Sequence, residues 1–192
     1  ISPLALSLLS VSRVWLQATD TITVNSPITI TPSLQLDAGN AIIINADITS
    51  LNDVEINAGR SIQVNDAKIK AKNITLTAHA SITNEEEFAG GDPGEFLNDI
   101  GLLNLSGPVG TAYTNAAAEV LINASAILEA EEAITIKATA EANAIVNALG
   151  FVLGIAHSDS TATATALIKG GAQVDAGGAL KLEANIINTS HA

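Results

Sequence analysis

Three sets of side chains in this 192-residue chain have types and spacings that could do chemistry. The densest is acidic: Glu85, Glu86, Glu87, Asp92, Glu95 and Asp99 offer carboxylate oxygens to a Ca²⁺ ion, which takes roughly six to eight of them. Neither an EF-hand nor a glycine-aspartate nonapeptide spacing is present, so the same residues also read as a solvated acidic loop. The second set is His79, His157 and His191, far apart and without a Cys to complete a zinc spacing. His79 is expected in a turn and His157 in a loop, both as solvated residues. Asp37, Asn57, Asp47 and Asp53 fall at recurring turn positions, which turn chemistry explains, and no acid/base pair can be assigned. The third set is apolar: Phe88, Phe96, Ile100 and Leu103 are candidates for partner contact, in a chain with only 3% aromatic residues. The expectation is a protein that is not an enzyme and has no catalytic residue and no cofactor, Ca²⁺ being the one ion considered.

The elements that position these groups repeat every twenty residues. Val14/Leu16, Leu34/Leu36, Val54/Ile56 and Ile74/Leu76 are four copies of one apolar-x-apolar pair. A second pair follows at Ile22/Val24, Ile42/Ile44 and Ile62/Val64, and the pattern breaks at Ile82. A third apolar position comes at Ile28, Ile48 and, slipped by one, Ile69. Spacing of two within each pair is the strand period, and a fixed repeat of about 20 residues marks a solenoid in which each coil rests on the next. Asn25, Asn45 and Asn65 recur after the second strand and should bond as a ladder; Asp37 and Asn57 recur after the first. Gly39 and Gly59 supply tight turns.

The second half follows a longer rule. Ile122, Leu128, Ile134 and Ile136 match Ile168, Val174, Leu180 and Leu182 at a constant offset of 46. Alanine-rich alternating segments precede each copy and predict a thinner or flatter solenoid there. The fold expected is all-β: one right-handed parallel β-helix over 1–192, with regular coils in 1–83, an excursion in 84–119 and Ala-rich coils in 120–192. Within the excursion, Asp92 as N-cap, Pro93 and Glu95 predict a short helix over 93–105, its face formed by Phe96, Ile100 and Leu103. That face either meets a partner or covers the flank of the rod.

Composition bounds the function. A net charge of −12 with only eight Lys plus Arg argues against nucleic acid or an anionic membrane as partner. The uncharged run from Ala142 to Ala156 is too short and too polar for a membrane span. There is no Cys, hence no disulfide framework. No Met stands at position one and the apolar Leu4 to Leu9 lacks a basic flank, so the chain is expected to open in mid-coil, as a mature product or an internal piece.

Leu34 to Leu51, Val54 to Ala71, Ile74 to Ile82 and Val174 to Ala184 carry apolar-x-apolar steps, several followed by Asp/Asn-Ala-Gly, and together resemble the β-helical regions of filamentous-haemagglutinin-like giant bacterial adhesins. The resemblance implies an extracellular or bacterial cell-surface location and a stalk or adhesive filament, with a protein or glycan at a cell surface, or adjacent copies of the same solenoid, as partner. The Asn-Pro-Asn type secretion motif of that family does not occur here, which again points to an internal segment. Two other readings stay open: a self-assembling extracellular filament subunit, and a carbohydrate-active enzyme, since polysaccharide lyases and hydrolases also use β-helices.

Overall fold

The computed structural model describes residues 11–89, 109–149 and 155–191. These form strands and turns only, wound as a parallel β-helix. Three coils of three short strands come first: β1 (Arg13–Ala18), β2 (Thr21–Val24) and β3 (Ile28–Ile30); β4 (Ser33–Ala38), β5 (Ala41–Ile44) and β6 (Ile48–Ser50); β7 (Val54–Ala58), β8 (Ser61–Val64) and β9 (Lys68–Ala71). Two further coils follow with longer strands: β10 (Ile74–Ala89), β11 (Val109–Ile122) and β12 (Ile127–Ala130), then β13 (Ile134–Leu149), β14 (Ile155–Ile168) and β15 (Gln173–Ala176). Strand β16 (Leu180–His191) opens a sixth. Stacking places these in three sheets: sheet A is β1-β4-β7-β10-β13-β16, sheet B is β14-β11-β8-β5-β2, and sheet C is β15-β12-β9-β6-β3.

The register is the one the periodicity predicts. Val14 pairs with Leu34, Leu34 with Val54 and Val54 with Ile74, each a step of twenty. Ile22, Ile42 and Ile62 align likewise in sheet B. Ile48 meets Ile69, confirming the one-residue slip. Asp47 absorbs the extra residue by accepting a hydrogen bond from the Lys68 amide at 2.8 Å. The offset of 46 is also structural, since Leu128 pairs with Val174.

Like over like fills the interior. Leu36, Ile42, Ile44, Ile56, Ile62, Val64 and Leu76 are fully buried, and of the twelve pair residues from Ile22 to Leu76 only Ile22, on the edge strand β2, is half-buried. Each such side chain contributes roughly 1.5 to 3 kcal/mol by leaving water. Alternation of buried and half-buried positions along β4 to β8 keeps polar residues on the outer faces.

Turn side chains form the expected ladder and extend it. Asn45 donates its side-chain amide to Asn25 at 2.8 Å and Asn65 to Asn45 at 2.6 Å. Asn123, 58 residues further on, adds a fourth rung to Asn65 at 2.6 Å. The expected break at Ile82 has a simple cause. At that level β10 runs straight on, and the second pair of the coil is supplied instead by Val120 and Ile122 of β11, which lie on Ile62 and Val64.

Consequently three expectations are corrected. Asp37 and Asn57 do not follow the first strand of a coil as turn residues but stand inside β4 and β7, because the parallel pairing runs on through Ala38 and Ala58. His79 is not in a turn but inside β10, because it stands where Gly39 and Gly59 bend the earlier coils; His157 is not in a loop but inside β14. Parts of the 84–119 excursion are strand as well: β10 reaches Ala89 and β11 begins at Val109. The helix expected over 93–105 lies outside the described residues.

The chain groups into two compact units. Unit 1 is Ile1–Ala80, Ala117–Ala140 and Thr163–Ile186, and holds the coils just described. Unit 2 is Ser81–Ala116, Glu141–Ala162 and Ile187–Ala192. It has its own small buried cluster of Ala112, Ala144 and Val146, an edge-on contact between Tyr113 and His157 with ring centroids 5.8 Å apart, and a hydrogen bond between the Ser158 and Ser190 hydroxyls at 2.6 Å.

The tightness of the first turn gives a direct test. A Cβ added to Gly59 would sit 2.0 Å from the Gly39 carbonyl oxygen, a backbone atom with no room to yield, whereas one added to Gly170 meets nothing within 4 Å. Gly59→Ala is expected to cost about 1 to 3 kcal/mol or more in urea unfolding. Gly170→Ala should change the midpoint little.

Candidate functional site

Outward positions of sheet A carry the richest polar constellation among the described residues. Because stacked coils lie about 4.8 Å apart, side chains at equivalent outward positions reach one another and form rows along the stack. One row is Trp15, Gln35, Glu55 and Thr75; beside it runs Gln17, Asp37, Asn57 and Thr77.

Asp37 is the hub of these rows. Its carboxylate accepts the Trp15 indole N–H at 2.5 Å, the Gln35 amide at 2.9 and 3.1 Å, and the Asn57 amide at 3.0 Å. Asn57 donates also to Glu55 at 3.0 Å, and Glu55 pairs with Arg13 at 2.7 Å. Six side chains on β1, β4 and β7 are thus tied into one network. The Arg13–Glu55 pair is solvent-exposed and contributes at most about 1 kcal/mol by itself. Its larger effect is to fix where Glu55, and through it Asn57, can point.

Two grooves flank the Trp15 row. One, of about 480 Å³, is lined by Gln17, Asp37, Asn57, Thr77 and His79, with Thr19 and the Gly39 and Gly59 turns. The other, of about 340 Å³, is lined by Arg13, Ser33, Asp53, Glu55, Asn73 and Thr75. Both volumes fall in the range of small-molecule sites. In the first groove the Gln17 amide and the Thr77 hydroxyl make no side-chain hydrogen bond among the described residues, and the Asn57 oxygen accepts none, so each can serve a ligand.

Of the candidate residues read from the sequence, Asp37 and Asn57 come together here. Asp53 lines the second groove and bonds Asn73 at 2.9 Å, while Asp47 is engaged with the Lys68 amide. Glu85 is exposed on β10, and Glu86, Glu87 and Phe88 belong to the same strand. Asp92, Glu95, Phe96, Asp99, Ile100 and Leu103 lie outside the described residues. Among the described residues no three His, Asp or Glu side chains are grouped so as to hold a metal ion. Trp15, Gln17, Gln35, Glu55 and Thr77 were not read as a site in the sequence, and His79 only as a solvated turn residue. The signal of the first five is that they stand in two outward rows at multiples of twenty residues.

No family model, no curated protein and no solved structure matches this chain.

At the edge of the second groove, Glu132 extends the Asp53–Asn73 row into the next coil. It accepts from Asn73 at 3.1 Å and pairs with Lys72 at 3.3 Å. The Asn73 amide first, and the Lys72 ammonium next, hold its carboxyl below the ordinary value. A lowered carboxyl stabilises the fold above its unfolded pKa, and that contribution disappears as pH falls through the lowered value. The urea midpoint of the wild type should therefore drop more steeply on acidification below the ordinary carboxylate range than that of Glu132→Gln. The difference should be small, since the group is exposed.

Proposed function

We propose that this chain is a structural and adhesive stalk or filament segment of a large secreted or surface-attached bacterial protein. The observation that carries the reading is the stacking of parallel coils in one register, which sets equivalent outward positions in rows along the stack. Leu180 and Leu182 on β16 stand where Ile134 and Ile136 stand one coil earlier; the isoleucines are fully buried, while the leucines are 51% and 49% exposed. β14, β15 and β16 are also edge strands, each with one row of backbone groups unpaired by the sheet. A further β-coil would answer both features at once, because it brings aliphatic residues to the core and hydrogen bonds to the edges.

The opposite end differs. On β1, β2 and β3, which are edge strands too, Val14, Val24, Ile28 and Ile30 are buried. A stack of coils whose outer rows carry polar groups also suits the display of contacts at an extracellular surface.

If the β16 end accepts a coil, the isolated chain should bind a hydrophobic dye there and associate at high concentration. Changing both Leu180→Asp and Leu182→Asp should suppress both effects and leave the far-ultraviolet dichroism unchanged, as read by dye fluorescence and sedimentation. A wild-type chain that stays monomeric and binds no dye would remove the reading.

A further inference from the structure

We infer that the outer face of sheet A carries a binding site for an uncharged linear oligosaccharide, lying along the Gln17–Asp37–Asn57–Thr77 groove with Trp15 as its apolar platform. The inference deepens the adhesive reading and rests on it.

Trp15 is the first reason. It is the single tryptophan of the chain and is 59% exposed on β1. Its one polar side-chain atom, Nε1, is already bonded to Asp37, so what remains exposed is ring carbon. Leaving that surface in water is unfavourable, and the hydrogen bond holds the indole in one orientation beside a groove wall. A rigid exposed ring next to fixed polar groups is the arrangement that receives a ligand with an apolar face and a polar rim. A pyranose ring has both, with its C–H face to stack on indole and its hydroxyls at the periphery.

Hydrogen-bonding capacity is the second. Hydroxyl groups donate and accept, and the groove offers both kinds of partner: the Gln17 amide, the Asn57 side-chain oxygen and the Thr77 hydroxyl. They stand in one row with Asp37, at Gln17, Asn57 and Thr77, whose successive positions lie about 4.8 Å apart. An extended chain of pyranoses laid parallel to the stack advances by a similar step per residue, so successive sugars meet successive positions of that row.

Charge and backbone exclude the competitors. Asp37, Asp53 and Glu55 outnumber Arg13, and Arg13 is itself paired with Glu55. An anionic polymer such as a sulfated glycan or a nucleic acid is repelled. Extended peptides usually gain affinity by adding a strand to a sheet edge. This site is a sheet face, where the backbone groups are already used in the ladder between β1, β4, β7 and β10, and only side chains are on offer.

Because Trp15 is the only tryptophan, its fluorescence reports on this site alone. Titration of the intact chain with cellotetraose and with chitotetraose should give a saturable change in emission for at least one of them, and heparin fragments should give none. By calorimetry, Trp15→Ala should weaken that binding by about tenfold or more and Asn57→Ala by a smaller factor, with dichroism and urea midpoint nearly unchanged. The inference is overturned if neither tetrasaccharide moves the emission at millimolar concentration. It is overturned equally if Trp15→Ala binds as well as the wild type, or if Trp15→Ala only lowers stability, the indole then serving to shield the edge of β1. The adhesive reading is tested apart from this by adherence of the chain to glycan-coated surfaces. Adherence that survives Trp15→Ala sinks the groove assignment and leaves the adhesive reading, whereas tetrasaccharide binding without adherence does the reverse.

Discussion

Everything in the coils of unit 1 depends on the parallel backbone ladder that sets each residue over its counterpart in the coil below. Parallel pairing with a side-chain period of two allows no half-measures: a slip of one residue would turn every buried aliphatic outward. The ladder is therefore held from both sides. Inside, Leu34, Val54 and Ile74 on one wall and Ile42 and Ile62 on another leave little space for a different register. Outside, the Asn25–Asn45–Asn65–Asn123 chain and the Asp53–Asn73–Glu132 chain bond only when equivalent turns are superposed. Local and long-range preferences agree, which is the condition for a single folded state.

The same ladder builds the outer face as a by-product of stacking. Trp15, Asp37 and Asn57 have no relation in the chain other than distance of about one repeat, yet superposition brings them within hydrogen-bonding reach. A solenoid thus assembles a site from residues tens of positions apart without a dedicated loop. It can do so while the core beneath stays uniform, because inward and outward positions alternate and change independently.

This division explains what was legible from residues alone. The inward positions repeat in kind, so the step of twenty from Val14 to Ile74 and the offset of 46 from Leu128 to Val174 could be read directly. Outward positions repeat in place but not in kind: Trp15, Gln35, Glu55 and Thr75 share a row and no chemistry, so self-similarity does not reveal them. The passage from Ile62 to Val120 was hidden for another reason. The long run of β10 and the residues after it stand between two members of one column, and similarity at a fixed offset does not cross such an insertion. His79 was misplaced because a polar residue at a turn position reads as turn, when the decisive signal was the loss of the glycine found there in the two coils before. The acidic and apolar candidates from Asp92 to Leu103 are not addressed by the described residues.

The glycine turns give the stack a grammar of duplication. At this corner the crowding runs in one direction: Gly39 lies against the carbonyl of Thr19, and Gly59 against that of Gly39, so the residue in the upper coil must lack a Cβ while the one beneath it need not. A gene segment encoding residues 33–52 or 53–72, inserted between the second and third coils, brings its own glycine and can lengthen the stack without strain at this corner. A copy of residues 13–32 inserted at the same point would press the Thr19 side chain into the backbone below it. Growth by repetition is open to some units of this chain and closed to others, and a single hydrogen in place of a methyl group decides which.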